Sequence, residues 1–264
     1  MWEPSFNMGY NKNTVNALYG SLTKLQVAEP RSRSVYVFQE IGRPFADLQG
    51  NAFKRNSSGA IIFGANGLPL TEQLHKFGSG VSPWTLGFNN SFTYKQFGLS
   101  FLVDAKYGGF IFSGTNALAT RYGLSKITLP GRDVSAVLVP GQPAVNGIVV
   151  GNGVTEDDKP NTKQVAAEAY YSNLYNFAEP FVYSSDFVKL RQVIFNYNIP
   201  SKVFGNSAFK SVSVGLVARN LFTFLKHTPN VDPESNYSNT AAQGFEFVGL
   251  PATRTLGFNL NVKF

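Results

Sequence analysis

From Val188 to Ile199 the side chains alternate, with Val193, Phe195, Tyr197 and Ile199 on one side and Gln192, Ile194, Asn196 and Asn198 on the other. That is the period of a strand, not of a helix. The segment Ser211 to Phe224, SVSVGLVARNLFTF, answers it: Val212, Val214, Leu216 and Ala218 face one way, Ser211, Ser213, Gly215, Val217 and Arg219 the other. Pro200 has no N–H for a ladder and stops the first strand, and SKVFGNSAFK supplies the turn. The pattern predicts a long antiparallel hairpin with one apolar face and one polar, small-residue face.

The same pattern recurs along the chain. Thr85 to Tyr94 and Phe97 to Gly109 form a second hairpin across the two-residue link Lys95 and Gln96. Its greasy face holds Leu86, Phe88, Phe92, Tyr94, Leu99, Phe101 and Val103; its wet face holds Asn89, Asp104 and Lys106. Two such charges in a dry core would cost several kcal/mol unless paired, whereas a water-filled interior removes the difficulty. Trp2 to Asn11 reads as a strand entered without a cap. At the other end Leu256, Phe258, Leu260, Val262 and Phe264 alternate with Thr255, Gly257, Asn259, Asn261 and Lys263. Ser34 to Glu40 and Phe45 to Arg55 are shorter, less regular strand candidates, and Gly64 to Gly80 reads as a loop.

Between the regular strands the links are lopsided. Short turns of two to about ten residues join them at one end. Long excursions at Phe110 to Ala178, with helices near 115–122 and 162–175, and at Leu225 to Leu250 join them at the other. Arms of about 9–11 residues are long enough to cross a bilayer as tilted strands. An all-β, antiparallel transmembrane barrel is therefore preferred to a soluble sandwich, although both have two-faced strands.

Composition supports this choice. Of 264 residues 43% are hydrophobic and only 15% charged, against about a quarter in ordinary soluble proteins, and aromatics reach 14%. The net charge of +7 is dispersed, with Arg31 and Arg33 the nearest thing to a basic cluster, so a nucleic-acid partner is not expected. No cysteine is present, which removes disulfide and thiolate chemistry. The longest apolar region, Val134 to Val154, is cut by Pro140, Pro143 and glycines, and the first residues do not read as a secretory signal. Such a start fits a protein that stays inside the cell, or a chain whose true beginning lies upstream.

No catalytic constellation stands out. His75 and His227 lack companions at ligand spacing, Glu156 to Asp158 read as a solvated loop tip, and phosphate-loop or nucleophile motifs are missing. A non-enzyme without cofactor or metal is expected. Tyr170, Tyr171, Asn173 and Tyr175 could stack on and hydrogen-bond a sugar; equally, such tyrosines form a barrel-rim girdle or pack a loop helix. Asn89, Asp104, Lys106, Asn196, Arg219 and Asn259 are the expected lumen-facing residues.

FVKLRQVIFNYNIP, ARNLFTFLKH and RTLGFNLNVKF resemble the closing segment of SusC/RagA-type TonB-dependent outer-membrane transporters of Bacteroidetes. WTLGFNNSFTYKQFGLSFLVDAKYGG, AEAYYSNLYNFAEPFVYSSDFVKLR and WEPSFNMGYNKNTV are similar to the same family in the same order, so the resemblance covers almost the whole chain. It implies that residues 1–264 supply about the last eight strands of a plugged barrel of about 22, without the plug, the TonB-contacting segment or the signal peptide. It further implies import of oligosaccharides or peptides across the outer membrane with a SusD-like surface lipoprotein and the TonB complex. The two long excursions would be extracellular, and Phe264 would be the terminal aromatic read by the barrel assembly machinery. The alternative, from the residues alone, is a soluble all-β carbohydrate-binding or adhesive module; a self-contained eight-stranded barrel is a further one. The transported substrate is not written in these residues.

Overall fold

The computed structural model describes residues 1–29, 34–205, 208–236, 238 and 240–264; Arg31 and Arg33 lie outside them. Its largest element is a six-stranded antiparallel sheet, the wall. It is built from β1 (Trp2–Tyr10), β2 (Trp84–Tyr94), β3 (Phe97–Tyr107), β4 (Phe187–Ile199), β5 (Ser211–Lys226) and β6 (Thr255–Lys263), paired in that order. Six strands, rather than about eight, thus belong to it. The difference arises because the short candidates at 34–55 pair elsewhere.

The register fixes the two faces. Trp2 pairs with Phe92, Phe6 with Phe88, Val103 with Phe88, Val193 with Phe101, Leu216 with Phe195 and Phe258 with Leu216, so the apolar positions of all six strands share one side. One polar side chain sits among them: buried Asn90, whose Oδ1 accepts from Trp2 Nε1 at 3.0 Å. The link Lys95–Gln96 closes β2 onto β3, with Lys95 in the left-handed region (φ 52°) that a tight hairpin turn demands. The register shifts between Leu190 and Gln192 against both neighbours: Arg191 is the extra residue against β3, whereas against β5 the extra residue lies on β5.

All long connections leave from the end opposite Lys95–Gln96, and they fold together. A four-stranded sheet of Lys24–Ala28, Val35–Glu40, Asp47–Phe53 and Thr71–Ser79 arises from residues 11–83. The last of these strands falls within the predicted loop. Its alternation is broken by bulges against Asp47–Phe53 and by Leu74 at φ 54°, which hides its period. Residues 108–186 contribute Phe110–Ser113, which pairs with Val182–Ser184 and Phe245–Glu246, and the helices α1 (Gly114–Arg121) and α2 (Ala167–Asn173). Ser113 caps α1 by accepting from Asn116 N at 3.2 Å.

Val35, Val37, Leu48, Phe112, Ala117, Tyr171, Leu174, Phe181 and Phe245 form the core of this outer body. The excursions are thus packed against one another. Gly80 and Gly244 mark where two of them cross, since a Cβ on Gly80 would lie 2.4 Å from the Gln243 carbonyl oxygen. Glu246, 2% exposed, ties residues 227–254 to the start of α1: it accepts from Ser113 Oγ at 2.9 Å, Gly249 N at 3.2 Å and the Thr115 hydroxyl.

Candidate functional site

The register places Asn89, Asp104, Lys106, Asn196, Arg219 and Asn259 on one face of the wall, opposite the apolar one. At the outer end of that face sits a charge cluster. Asp104 and Lys106 are two positions apart on β3, and Asp104 opposes Lys189 on β4. The bulge turns Arg191 to the same side, where its Nε donates to Asp104 Oδ2 at 2.8 Å. Asp104 is therefore neutralised by a neighbouring strand, in addition to whatever water reaches it.

Residues 231–236 complete the cluster from outside the sheet. Lys189, 4% exposed, donates from Nζ to both carboxylate oxygens of Asp232, at 2.6 and 2.8 Å, and to Glu234 Oε2 at 2.8 Å. Arg191 Nη2 donates to Glu234 Oε1, and Lys106 Nζ stands 3.8 Å from the same oxygen. Asp232 also accepts from Glu234 N at 2.8 Å, so the segment is held in a turn as it reaches the wall. Burial pushes the Glu234 carboxyl up, but the bonds from Arg191 and Lys189 outweigh it and leave it below its ordinary value. Removing one partner from so buried an ion cluster typically costs about 3–5 kcal/mol. Beside the cluster opens a cleft of about 370 Å³ lined by Arg191, Asn220, Thr223, Glu234, Thr253 and Arg254.

Arg219 opposes Gln192 and Thr255, exposed and without an ion-pair partner among the described residues. The tyrosines fall elsewhere, in the outer body. Tyr171 is buried, donates its hydroxyl to the Pro130 carbonyl at 3.0 Å and meets Tyr170 edge-on at 5.3 Å. Tyr175 stacks under the Arg121 guanidinium, 4.7 Å from the ring centre, and Asn173 is half-buried, its Oδ1 without a partner among the described residues. Their geometry is that of packing between α1 and α2. Tyr171 also borders a cleft of about 440 Å³ with Arg121, Arg132 and Glu168. His75 lies 3.1 Å from Glu72, and no metal-binding group of His, Asp and Glu occurs among the described residues.

Lys189, Arg191, Asp232 and Glu234 escaped the sequence reading. Two cations at i and i+2 in a strand that is otherwise apolar or amidic are a visible signal. Their acidic partners lie more than forty residues away, and nothing local connects the two.

No family model matches the sequence. Among curated proteins, TonB-dependent receptor P3 of Formosa agariphila is 27% identical over 229 residues, 84% of this chain and 19% of that protein. TonB-dependent receptor P39 of the same organism is 24% identical over 190 residues, 71% of this chain and 17% of its own length. The chain therefore spans about one fifth of the curated relatives it matches. Among solved structures, the RagAB peptide transporter covers all of this chain, with a TM-score of 0.60 at 17% identity, and 27% of its own chain is matched. The RagAB peptide importer in its open-open state gives 0.61 at 17% identity. The wall of two-faced strands, its long excursions at one end and these likenesses agree: the chain is similar in sequence to TonB-dependent receptors of a Bacteroidetes bacterium and has the fold of the corresponding part of the SusC/RagA-type TonB-dependent barrel.

Proposed function

We propose that the chain is the C-terminal portion of an outer-membrane TonB-dependent transporter, and that it works with a SusD-like surface lipoprotein to import oligosaccharides or peptides. The apolar face of the wall carries the proposal. Phe6, Met8, Leu216, Leu256, Phe258 and Leu260 are each at least 57% exposed and share that face, which no other described element covers. A soluble sandwich would lay a second sheet across it; here the second sheet packs with the loops beyond the strand ends. Lipid is the solvent that suits such a surface, and the strands, at 9–16 residues, are long enough to cross it.

In this reading the polar face with Asn89, Asn196 and Asn259 lines the lumen. The excursions at 110–178 and 225–250 face the outside, where they meet substrate and lipoprotein, and Tyr170 and Tyr175 are candidate sugar-stacking groups. Phe264, packed 5.3 Å from the Phe209 ring, serves the barrel assembly machinery, and energy comes from the TonB complex. The test is nitroxide accessibility in the full-length protein in bilayers, with single cysteines at Leu216, Phe258, Asn196 and Asn259. The first two are expected to be relaxed by oxygen and the last two by a water-soluble nickel chelate. Water access at all four would refute the reading.

A further inference from the structure

Residues 231–236 lie as a strap across the polar face, with a cleft on either side. One is the 370 Å³ cleft toward β5 and β6; the other, of about 290 Å³, is bordered by Thr85, Lys106 and Phe187 toward β2 and β3. Glu234 lines both, so the strap stands between them. The wall side of the cluster holds Lys106, Lys189 and Arg191 against the single carboxylate Asp104, and the strap brings Asp232 and Glu234 to balance it. With the strap lifted, the wall keeps two uncompensated cations, and Lys189, which the strap covers, faces the groove. Like charges held side by side repel one another and attract an anion. An arriving anion therefore favours departure of the strap.

We propose that Lys189 and Arg191 form a carboxylate-recognition site that Asp232 and Glu234 occupy in the resting protein, and that a carboxylate-bearing ligand enters by exchanging with the strap. The inference rests on the polar face being the transporter's lumen. The geometry suits the chemistry: the Lys189 ammonium takes both Asp232 and Glu234, two residues apart on one chain, and the Arg191 guanidinium, anchored through Nε on Asp104, adds Nη2 to Glu234. Exchange would join the two clefts. Arg254 in the cleft wall and Arg219, paired in register with the adjacent Thr255, then extend the positive track along β5 and β6. The ligand class is a short acidic oligomer, and its carboxylates could come from acidic peptide side chains or from uronate sugars.

The test uses detergent-solubilised full-length protein whose heat-modifiable migration reports an intact wall. The probes are fluorescent pentaglutamate, pentaglutamine and an oligouronate. The D232N/E234Q variant is expected to bind one or both anionic probes about tenfold more tightly or better, with no gain for pentaglutamine. Adding K189Q and R191Q should erase that gain. A nitroxide on S235C, with both strap carboxylates kept, should become more mobile when the anionic probe is added and stay still with pentaglutamine. Which anionic probe acts identifies the source of the carboxylate. An intact D232N/E234Q protein that gains affinity for neither anion overturns the proposal; if that variant does not fold, a strap label unmoved by saturating anion does so. The oxygen and nickel pattern at Leu216 and Asn196 is independent of the strap, so its loss refutes the lumen reading and its retention isolates failure to this site.

Discussion

Replacing Glu246 by alanine cuts the tie between residues 227–254 and α1 without touching the wall. The carboxylate is buried and, among the described residues, has no cation within salt-bridge distance; it accepts from Ser113 Oγ, the Thr115 hydroxyl, Gly249 N and, at a long 3.4 Å, Thr115 N. Hydrogen bonds to a charged group contribute about 1.5–3 kcal/mol each. Part of that is offset because alanine no longer buries an ion, and Ser113 keeps its capping role toward Asn116 N. A net local cost of about 2–4 kcal/mol follows, which raises the open population of this excursion about 30- to 1,000-fold. Proteolysis of a transiently open segment tracks that population when reclosing is fast. Cleavage by an aromatic-specific protease at Phe245 or Phe247 of the full-length protein is the assay, with heat-modifiable migration as the control for the wall. Glu246→Gln, which keeps one acceptor and turns an amide toward donors, should fall between. Cleavage of the alanine variant within about twofold of the parent would mean that apolar packing of Phe245, not the carboxylate, fixes the excursion.

Three further outcomes are expected. Phe258→Lys on the apolar face should lower the amount of folded barrel, by the equivalent of about 2–4 kcal/mol at mid-bilayer, whereas Asn259→Lys, its neighbour on the other face, should be tolerated; equal behaviour of the two would contradict the assignment of faces. Bonds from Gln49 and Lys76 push the Glu40 carboxyl from 4.5 down to about 2. Its contribution is therefore fully present above pH 4.5 and lost as pH falls toward 2. Glu40→Gln should flatten that acid limb of outer-body stability, followed by pepsin susceptibility, and an unaltered limb would show that another group sets it. Deleting Phe264 from the full-length protein should reduce membrane insertion, and normal levels of heat-modifiable barrel would refute its role as an assembly signal.

The wall was legible because its information is local. A strand repeats every two residues, so Val193 to Ile199, Leu256 to Val262 and Leu86 to Tyr94 declare their faces one by one, and a two-residue link or a proline marks their ends. The face of Asn89, Asp104, Lys106, Asn196, Arg219 and Asn259 followed from the same period. The outer body was legible only in part: strands at 34–40 and 45–55 and helices near 115–122 and 162–175 were expected and are present, but their pairing was not, because these strands are short, bulged and mutually dependent. Thr71–Ser79 has little alternation of its own and is a strand only because Asp47–Phe53 lies beside it. The bulge at Arg191 was equally hidden, yet it turns that guanidinium toward Asp104 and Glu234. The strap, the tie at Glu246 and the divided groove join residues 43 to 133 positions apart. A local pattern specifies which way a side chain points on its strand. Which charge waits opposite is decided only when distant segments fold onto one another, because the cost of burying Lys189 is met by residues the strand itself does not contain.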